Sequence, residues 1–250
     1  MKTGPQADTA RTASPPATWT VQPHGELQTL DDGLWVVSGT IHVPIGRFPR
    51  RMTVARLEGG GLLIYSAIAI DDATLQELEG LGTPTVLVVP NHLHREDAPA
   101  WKQRYPGIRV IAPVGSRERV ASAVPVDTTA TDLDDAEVSL VLVPGTRDHE
   151  VALLIRRAAG TTLVLNDVAA NIRGEHGFNG WLLRLMGFAG NHAQVPGPVK
   201  LLMIRDKAAL ADQLLTWAAL ADLRRIVVSH GDIIDRDPQG VLRSLAESLS

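Results

Sequence analysis

His92 and His94 are followed at long intervals by His149, Asp167 and His230, and each stands at or just beyond the end of a segment that reads as a β-strand. Neutral imidazole nitrogen and carboxylate oxygen are the donors that zinc accepts, and a catalytic zinc keeps one position open for water. Side chains delivered from several strand ends can converge on one point. Five such residues in this order predict a metal centre, and metal-assisted hydrolysis as the chemistry it would carry.

Each residue also has a plainer role to weigh. In an extended segment, side chains two apart point the same way, so His92 and His94 would share a face about 7 Å apart along the backbone. Glu96 would share that face if the segment stayed extended, and Asp97 would join if the chain turned there. Asp97 also precedes Ala98-Pro99 in the position of a helix N-cap, a role that needs no metal. His149 reads equally as a polar loop residue in Gly145-Thr146-Arg147-Asp148-His149, Asp167 as a turn or cap, and His230 as a turn residue in Ser229-His230-Gly231-Asp232. Independent turn residues rarely fall into such an order, and the conjunction favours the metal.

Composition narrows the field. The chain has 250 residues, 44% hydrophobic and 21% charged, enough to fill a core. Its formal net charge of -4 gives no electrostatic footprint for a nucleic acid. Arg47, Arg50 and Arg51 cluster locally and read as a solvated face. With no cysteine, disulfides and thiolate ligation are excluded, so a transition metal would be held by nitrogen and oxygen. Residues 1–20 are polar and rich in Thr, Ala and Pro, which reads as a flexible tail ahead of a domain over residues 21–250, not as a signal peptide. No apolar run is long enough to span a membrane. A cytoplasmic protein with a small-molecule substrate is the expectation.

The elements that must position these residues follow from periodicity. Strands are expected at Leu34–Val37, Met52–Leu57 and Leu62–Tyr65, with Gly59-Gly60-Gly61 turning between the last two. Asp71 and Asp72 are N-cap candidates for a helix over Ala73–Gly80. Thr85–Val89 is continuously apolar, as in a strand buried on both faces, and it delivers His92. A helix over Ala98–Tyr105, a strand at Arg109–Ala112 and a short helix at Arg117–Ala123 come next. Three strands follow at Val138–Val143, Val151–Ile155 and Thr161–Leu165. Helices are expected at Trp181–Gly187, Lys207–Leu220 and Gly240–Leu249, with a strand at Ile226–Val228 before His230. This mixture predicts two packed sheets with helices outside, an α/β layered sandwich. Between Arg173 and Pro198, Phe178, Trp181, Leu182, Leu185, Met186 and Phe188 form an apolar helical stripe: core, or else a lid, pocket wall or subunit contact. His176 and His192 flank it as surface histidines, and His24 and His42 have no evident partner.

At these residues the chain resembles the metallo-β-lactamase-fold superfamily. That superfamily carries H-x-H-x-D-H after one strand, then a distant His, a distant Asp and a late His near a glycine. The likeness runs from about Leu34 to the C-terminus and implies a four-layered αββα sandwich with up to two zinc ions at one edge. It implies that His92, His94 and His149 hold one ion, that Asp97 and His230 hold the other, and that Asp167 bridges. Glu96 or Asp97 would relay the proton. The departure lies in the first motif, where Glu96 replaces Asp and Asp97 replaces His. Oxygen in place of nitrogen would favour iron or manganese. A narrower likeness is to a bacterial group with N-x-x-H before a Trp and H-G-D near the end, as in Asn91, His94, Trp101 and His230-Gly231-Asp232. Members of that group often lack a full ligand set. Two functions are therefore open: a metal-dependent hydrolase of an ester, thioester, lactone or phosphoester, or a non-catalytic binding protein with a degenerate site.

Overall fold

Strands with long unbroken apolar runs, such as Val86–Val88 and Val151–Ile155, can satisfy both faces only between other layers. The computed structural model describes residues 18–43, 46–173 and 177–250. The expected tail through residue 17, and His176, lie outside the described residues.

Six strands form the first sheet in the order β1 (His24–Asp31), β2 (Leu34–Val43), β3 (Gly46–Arg56), β4 (Leu62–Tyr65), β5 (Pro84–Val88) and β6 (Arg109–Ile111). β1 to β4 pair antiparallel; β4, β5 and β6 are parallel. The second sheet runs β10 (Leu223–Gly231), β9 (Gly160–Asn171), β8 (Val151–Arg157), β7 (Val138–Leu142). Within it only the β9–β10 pair is parallel.

Alternation assigns each side chain to a layer. Val36, Leu63 and Val88 of the first sheet meet Leu153, Val164 and Val227 of the second in the central core. Leu62, Ile64 and Leu87 point the other way, against Leu75 and Leu78 of α1 (Asp72–Leu81) and Trp101 of α2 (Ala98–Arg104). α3 (Arg117–Ala121) buries Val120 in the same layer. Leu163, Leu165 and Val228 pack outward on α6 (Lys207–Ala218) and α7 (Pro238–Glu247) through Leu210, Leu214, Leu242 and Leu245. The result is the four-layered αββα sandwich. Among the described residues, no helix is long and apolar enough to cross a membrane.

Local signals set most boundaries. Asp71 accepts the amide of Thr74 at 2.8 Å and starts α1 one residue earlier than expected. β1 and α5 (Gly197–Leu202) are additional to the expected elements, because β1 is largely exposed and α5 is a six-residue helix without a clear apolar period. α4 (Gly177–Leu185) covers the first part of the expected stripe and ends before Met186 and Phe188, and only part of the segment is core. Leu183 is buried beside Ile172 and Ala189, whereas Trp181 and Leu185 are exposed.

A buried hydroxyl ties the two sheets: Tyr65 of β4 donates to the carbonyl of Val151 at 2.8 Å. Tyr65→Phe should cost about 1–2 kcal/mol, because it leaves that buried acceptor one donor short. Urea denaturation read by fluorescence checks this, with an unchanged m-value expected.

Candidate metal centre

The first histidine pair sits where β5 leaves the sheet. The carbonyl of Pro90 accepts the amide of Val151 at 3.1 Å, fixing this exit against the second sheet. The Asn91 side chain accepts the amide of Leu93 at 2.8 Å and folds His92–His94 into a 3-10 turn. That overturns the extended reading of the pair. With about three residues per turn, side chains two apart diverge, and His92 and His94 go to different places.

Asp167 arrives by a different device. β9 does not end at Leu165 but continues to Asn171, and its pairing with β10 slips on the way. Val228 pairs with Leu165, yet His230 pairs with Ala170, so β9 carries extra residues there. Bulges of this kind re-aim side chains next to functional sites. The fully buried Glu150 supports this one, accepting the amides of Asp167 at 3.2 Å and Val168 at 3.3 Å.

His230 lies inside β10, at its penultimate residue. Gly231 follows with φ +109, and a Cβ there would stand 2.2 Å from the carbonyl carbon of Asn171, so the close approach requires glycine. Arg51 donates to the carbonyls of Val228 at 2.6 Å and Gly231 at 2.7 Å, clamping the strand end. Arg50 is buried against Asp97. Neither arginine belongs to the solvated face that their clustering suggests.

His94, Asp167 and His230 converge. His230 Nε2 lies 2.8 Å from Asp167 Oδ1 and 3.2 Å from His94 Nε2, and His94 Nε2 lies 3.4 Å from Asp167 Oδ1. Four donors about 2.0–2.1 Å from a tetrahedral zinc would stand about 3.3 Å apart, so these three atoms have the spacing of one face of such a shell. The ring nitrogens that look away are held as well: His230 Nδ1 is 2.8 Å from the Pro49 carbonyl and His94 Nδ1 is 2.8 Å from Ser66 Oγ. A carbonyl can only accept, so Nδ1 of His230 carries the proton and its Nε2 presents a lone pair. The donor set fits a divalent cation. Among the described residues, these three are the group whose donor atoms are close enough together to hold a metal.

The other expected residues are elsewhere. His92 Nε2 faces Arg119 Nη1 at 3.1 Å, and its ring centroid is 6.3 Å from that of His149. His149 is anchored by Ser116, whose hydroxyl donates to its carbonyl at 2.8 Å. Asp97 stands at the N-cap position of α2 but makes no capping hydrogen bond; its carboxylate pairs with Arg50 at 2.7 Å. Glu96 is exposed and lines the cavity above the cluster. Of the histidines without an evident partner, His24 accepts the amide of Asp71 at 2.9 Å, and His42 is exposed.

Electrostatics separate two buried carboxyls. Burial pushes Asp167 up, but the neighbouring His94 and His230 more than offset it and hold its carboxyl well below the usual range. His94 is itself pushed down by burial despite Asp167. Beside that charge, the His94 ring gives Asp167 a hydrogen bond. Asn91 supplies another, donating Nδ2–H to Asp167 Oδ2 at 2.7 Å. For Glu150, burial first and the Asp167 charge second raise the carboxyl to about 8.

The cluster forms the floor of a cavity of about 560 Å³ whose walls include Ile41, Phe48, Phe188, Val199 and Met203. Glu150, Ser66 and the Pro49 carbonyl escape sequence reasoning. Glu150 follows a candidate histidine directly, but an isolated glutamate before a strand carries no signal of full burial.

No protein-family model matches this chain, and no curated protein matches it in sequence. Solved structures do. The chain is similar to the metallo-β-lactamase FIM-1 from Pseudomonas aeruginosa in its mono-zinc form, with 15% identity, 92% of this chain and 98% of that one covered, and a TM-score of 0.60. It is also similar to a metallo-β-lactamase from Erythrobacter litoralis, at 17% identity, 89% and 96% coverage and a TM-score of 0.59. A third likeness is to one from Hirschia baltica, at 12% identity, 90% and 98% coverage and a TM-score of 0.57.

The raised Glu150 carboxyl sets a pH dependence. The unfolded chain releases this proton near the ordinary value of 4.5 and the folded chain only near 8, so the folded state binds more protons between those limits. Its contribution to stability therefore falls as pH rises through that window, by at most about 1.4 kcal/mol for each pH unit. Denaturation of metal-stripped protein at pH 5 and pH 8 should show the stability of wild type falling relative to Glu150→Gln, a comparison in which the opposing contribution of the lowered His94 cancels. An equal pH slope in the variant would contradict the assignment.

Proposed function

We propose that this chain, which has the metallo-β-lactamase fold, is a metal-dependent hydrolase of a small ester-like substrate. The carrying observation is the triangle of His94 Nε2, His230 Nε2 and Asp167 Oδ1, with edges of 2.8 to 3.4 Å, at the floor of an apolar-walled cavity. These three would hold one cation. Two imidazoles and one carboxylate with a further position open is a catalytic zinc pattern, so zinc is the ion proposed. A bound divalent cation supplies Lewis acidity to water and to the carbonyl or phosphoryl oxygen of the substrate.

The protein's own groups do the rest. Pro49 and Ser66 hold the two imidazoles in orientation. Phe48 packs on the His230 ring, 4.7 Å between centroids, and screens it from solvent. Glu96, exposed in the cavity wall, is the proposed proton carrier; Asp97 is committed to Arg50 and positions it instead.

The reading takes one ion and not two. The Asp167 oxygen that a bridging role would need accepts the Asn91 amide, and a hydrogen-bond donor repels a cation at that place. His92 and His149 stand together but outside the triangle. The same reduced donor set favours the second reading, a binding protein without turnover.

Zinc-loaded protein should carry one equivalent of metal and cleave at least one of a panel of esters, thioesters, lactones and phosphoesters. His94→Ala and Asp167→Ala should lose both metal and activity, the latter by about a hundredfold or more. His92→Ala and His149→Ala should keep the metal. Retention of zinc without turnover across the panel would favour the binding protein, and zinc retained in Asp167→Ala would contradict the ligand assignment.

A further inference from the structure

The cavity is asymmetric, and its asymmetry describes a substrate. Its apolar side begins at a proposed metal ligand: Phe48 lies 4.7 Å from the His230 ring and meets Phe188 edge-on at 4.9 Å. Val199, Leu202 and Met203 continue that side. Leu202 of this side is 68% exposed and its chain neighbour Leu201 73%, so the apolar side of the cavity reaches solvent. A wall of this form suits an unbranched chain whose far end need not be enclosed. A compact polar substrate would leave it wet.

A cation marks the other end. Two arginines line the cavity, Arg50 and Arg119. Arg50 is matched by Asp97 at 2.7 Å, whereas Arg119, among the described residues, pairs with no carboxylate. One nitrogen of Arg119 rests on His92 Nε2 at 3.1 Å, which anchors the guanidinium and leaves other N–H groups to accommodate an oxyanion. Glu96 carries the opposite charge in the same wall, but among the described residues no hydrogen bond or ion pair fixes it. His94 connects the two ends: it shares a turn with His92, and its ring centroid is 5.1 Å from that of His230.

We infer that the substrates are amphipathic esters, with an acyl chain of medium length on one side of the scissile bond and a carboxylate or phosphate on the other. This rests on the hydrolase reading above. The chain lies along Phe48, Phe188 and Leu202, the ester sits over His94, Asp167 and His230, and Arg119 holds the anion. Water adds across the acyl–oxygen bond, giving a fatty carboxylate, an alcohol or phenol that keeps the anionic group, and one released proton.

Inert ethers separate recognition from turnover. Calorimetry on the zinc-loaded protein should show para-octyloxybenzoate binding about tenfold tighter than para-methoxybenzoate, from burial of the added methylenes. It should also bind about fivefold tighter than the uncharged para-octyloxybenzamide. Leu202→Asp should remove the first difference and Arg119→Ala the second; both side chains are exposed, so neither change should disturb folding. Equal affinity across chain lengths would overturn the inference. So would a preference for a trimethylammonium head group that Glu96→Gln abolishes. If the ethers bind in the expected pattern but para-octanoyloxybenzoate is not cleaved, the hydrolase reading fails and the ligand class stands. If simple esters are cleaved without that pattern, the ligand class fails and the hydrolase reading stands.

Discussion

A carboxylate buried as deeply as Asp167 is costly unless every lone pair finds a donor or a cation. Its two oxygens are used differently. Oδ1 faces two imidazole nitrogens, and Oδ2 accepts the Asn91 amide. The surrounding architecture serves that arrangement. The slipped register of β9 against β10 carries the carboxylate out of the sheet, Glu150 holds the two amides of the bulge, and Arg51 clamps the neighbouring strand end. Removing any one would leave a charge or a hydrogen-bonding group buried without compensation, and so the site and the sandwich edge are one structural unit.

Asn91 holds a double position in this unit. Its carbonyl oxygen nucleates the turn that separates His92 from His94, while its amide nitrogen caps the free oxygen of Asp167. One side chain thus determines which histidine reaches the cluster and which oxygen is left to a cation. Behind it, burial and the Asp167 charge push the Glu150 carboxyl up to about 8.

The layered fold was legible because its signals are local and periodic. Thr85–Val89 and Val151–Ile155 are apolar without a break, and strands of that kind must lie between layers. The Gly59-Gly60-Gly61 turn and the Asp71 cap announce themselves by residue type. The site was legible only in part. The candidates His94, Asp167 and His230 converge, whereas the candidates His92 and His149 do not join them. Alternation assumes an extended chain, and the Asx-type bond of Asn91 breaks that assumption within three residues. The bulge in β9 was invisible because Asn166 and Asp167 read as a strand end, and a register slip is a property of the pair of strands, not of either sequence. Arg50 and Arg51 looked like surface charge because their partners, Asp97 and the carbonyls of Val228 and Gly231, are distant in the chain.

The central claim is that one cation belongs at the meeting point of three residues and that no second one does. Crystals grown with zinc and measured on both sides of its absorption edge test it directly. The account predicts a single anomalous peak within bonding distance of His94 Nε2, His230 Nε2 and Asp167 Oδ1. A second peak between His92, His149 and the other oxygen of Asp167, with the Asn91 side chain swung away, would contradict it.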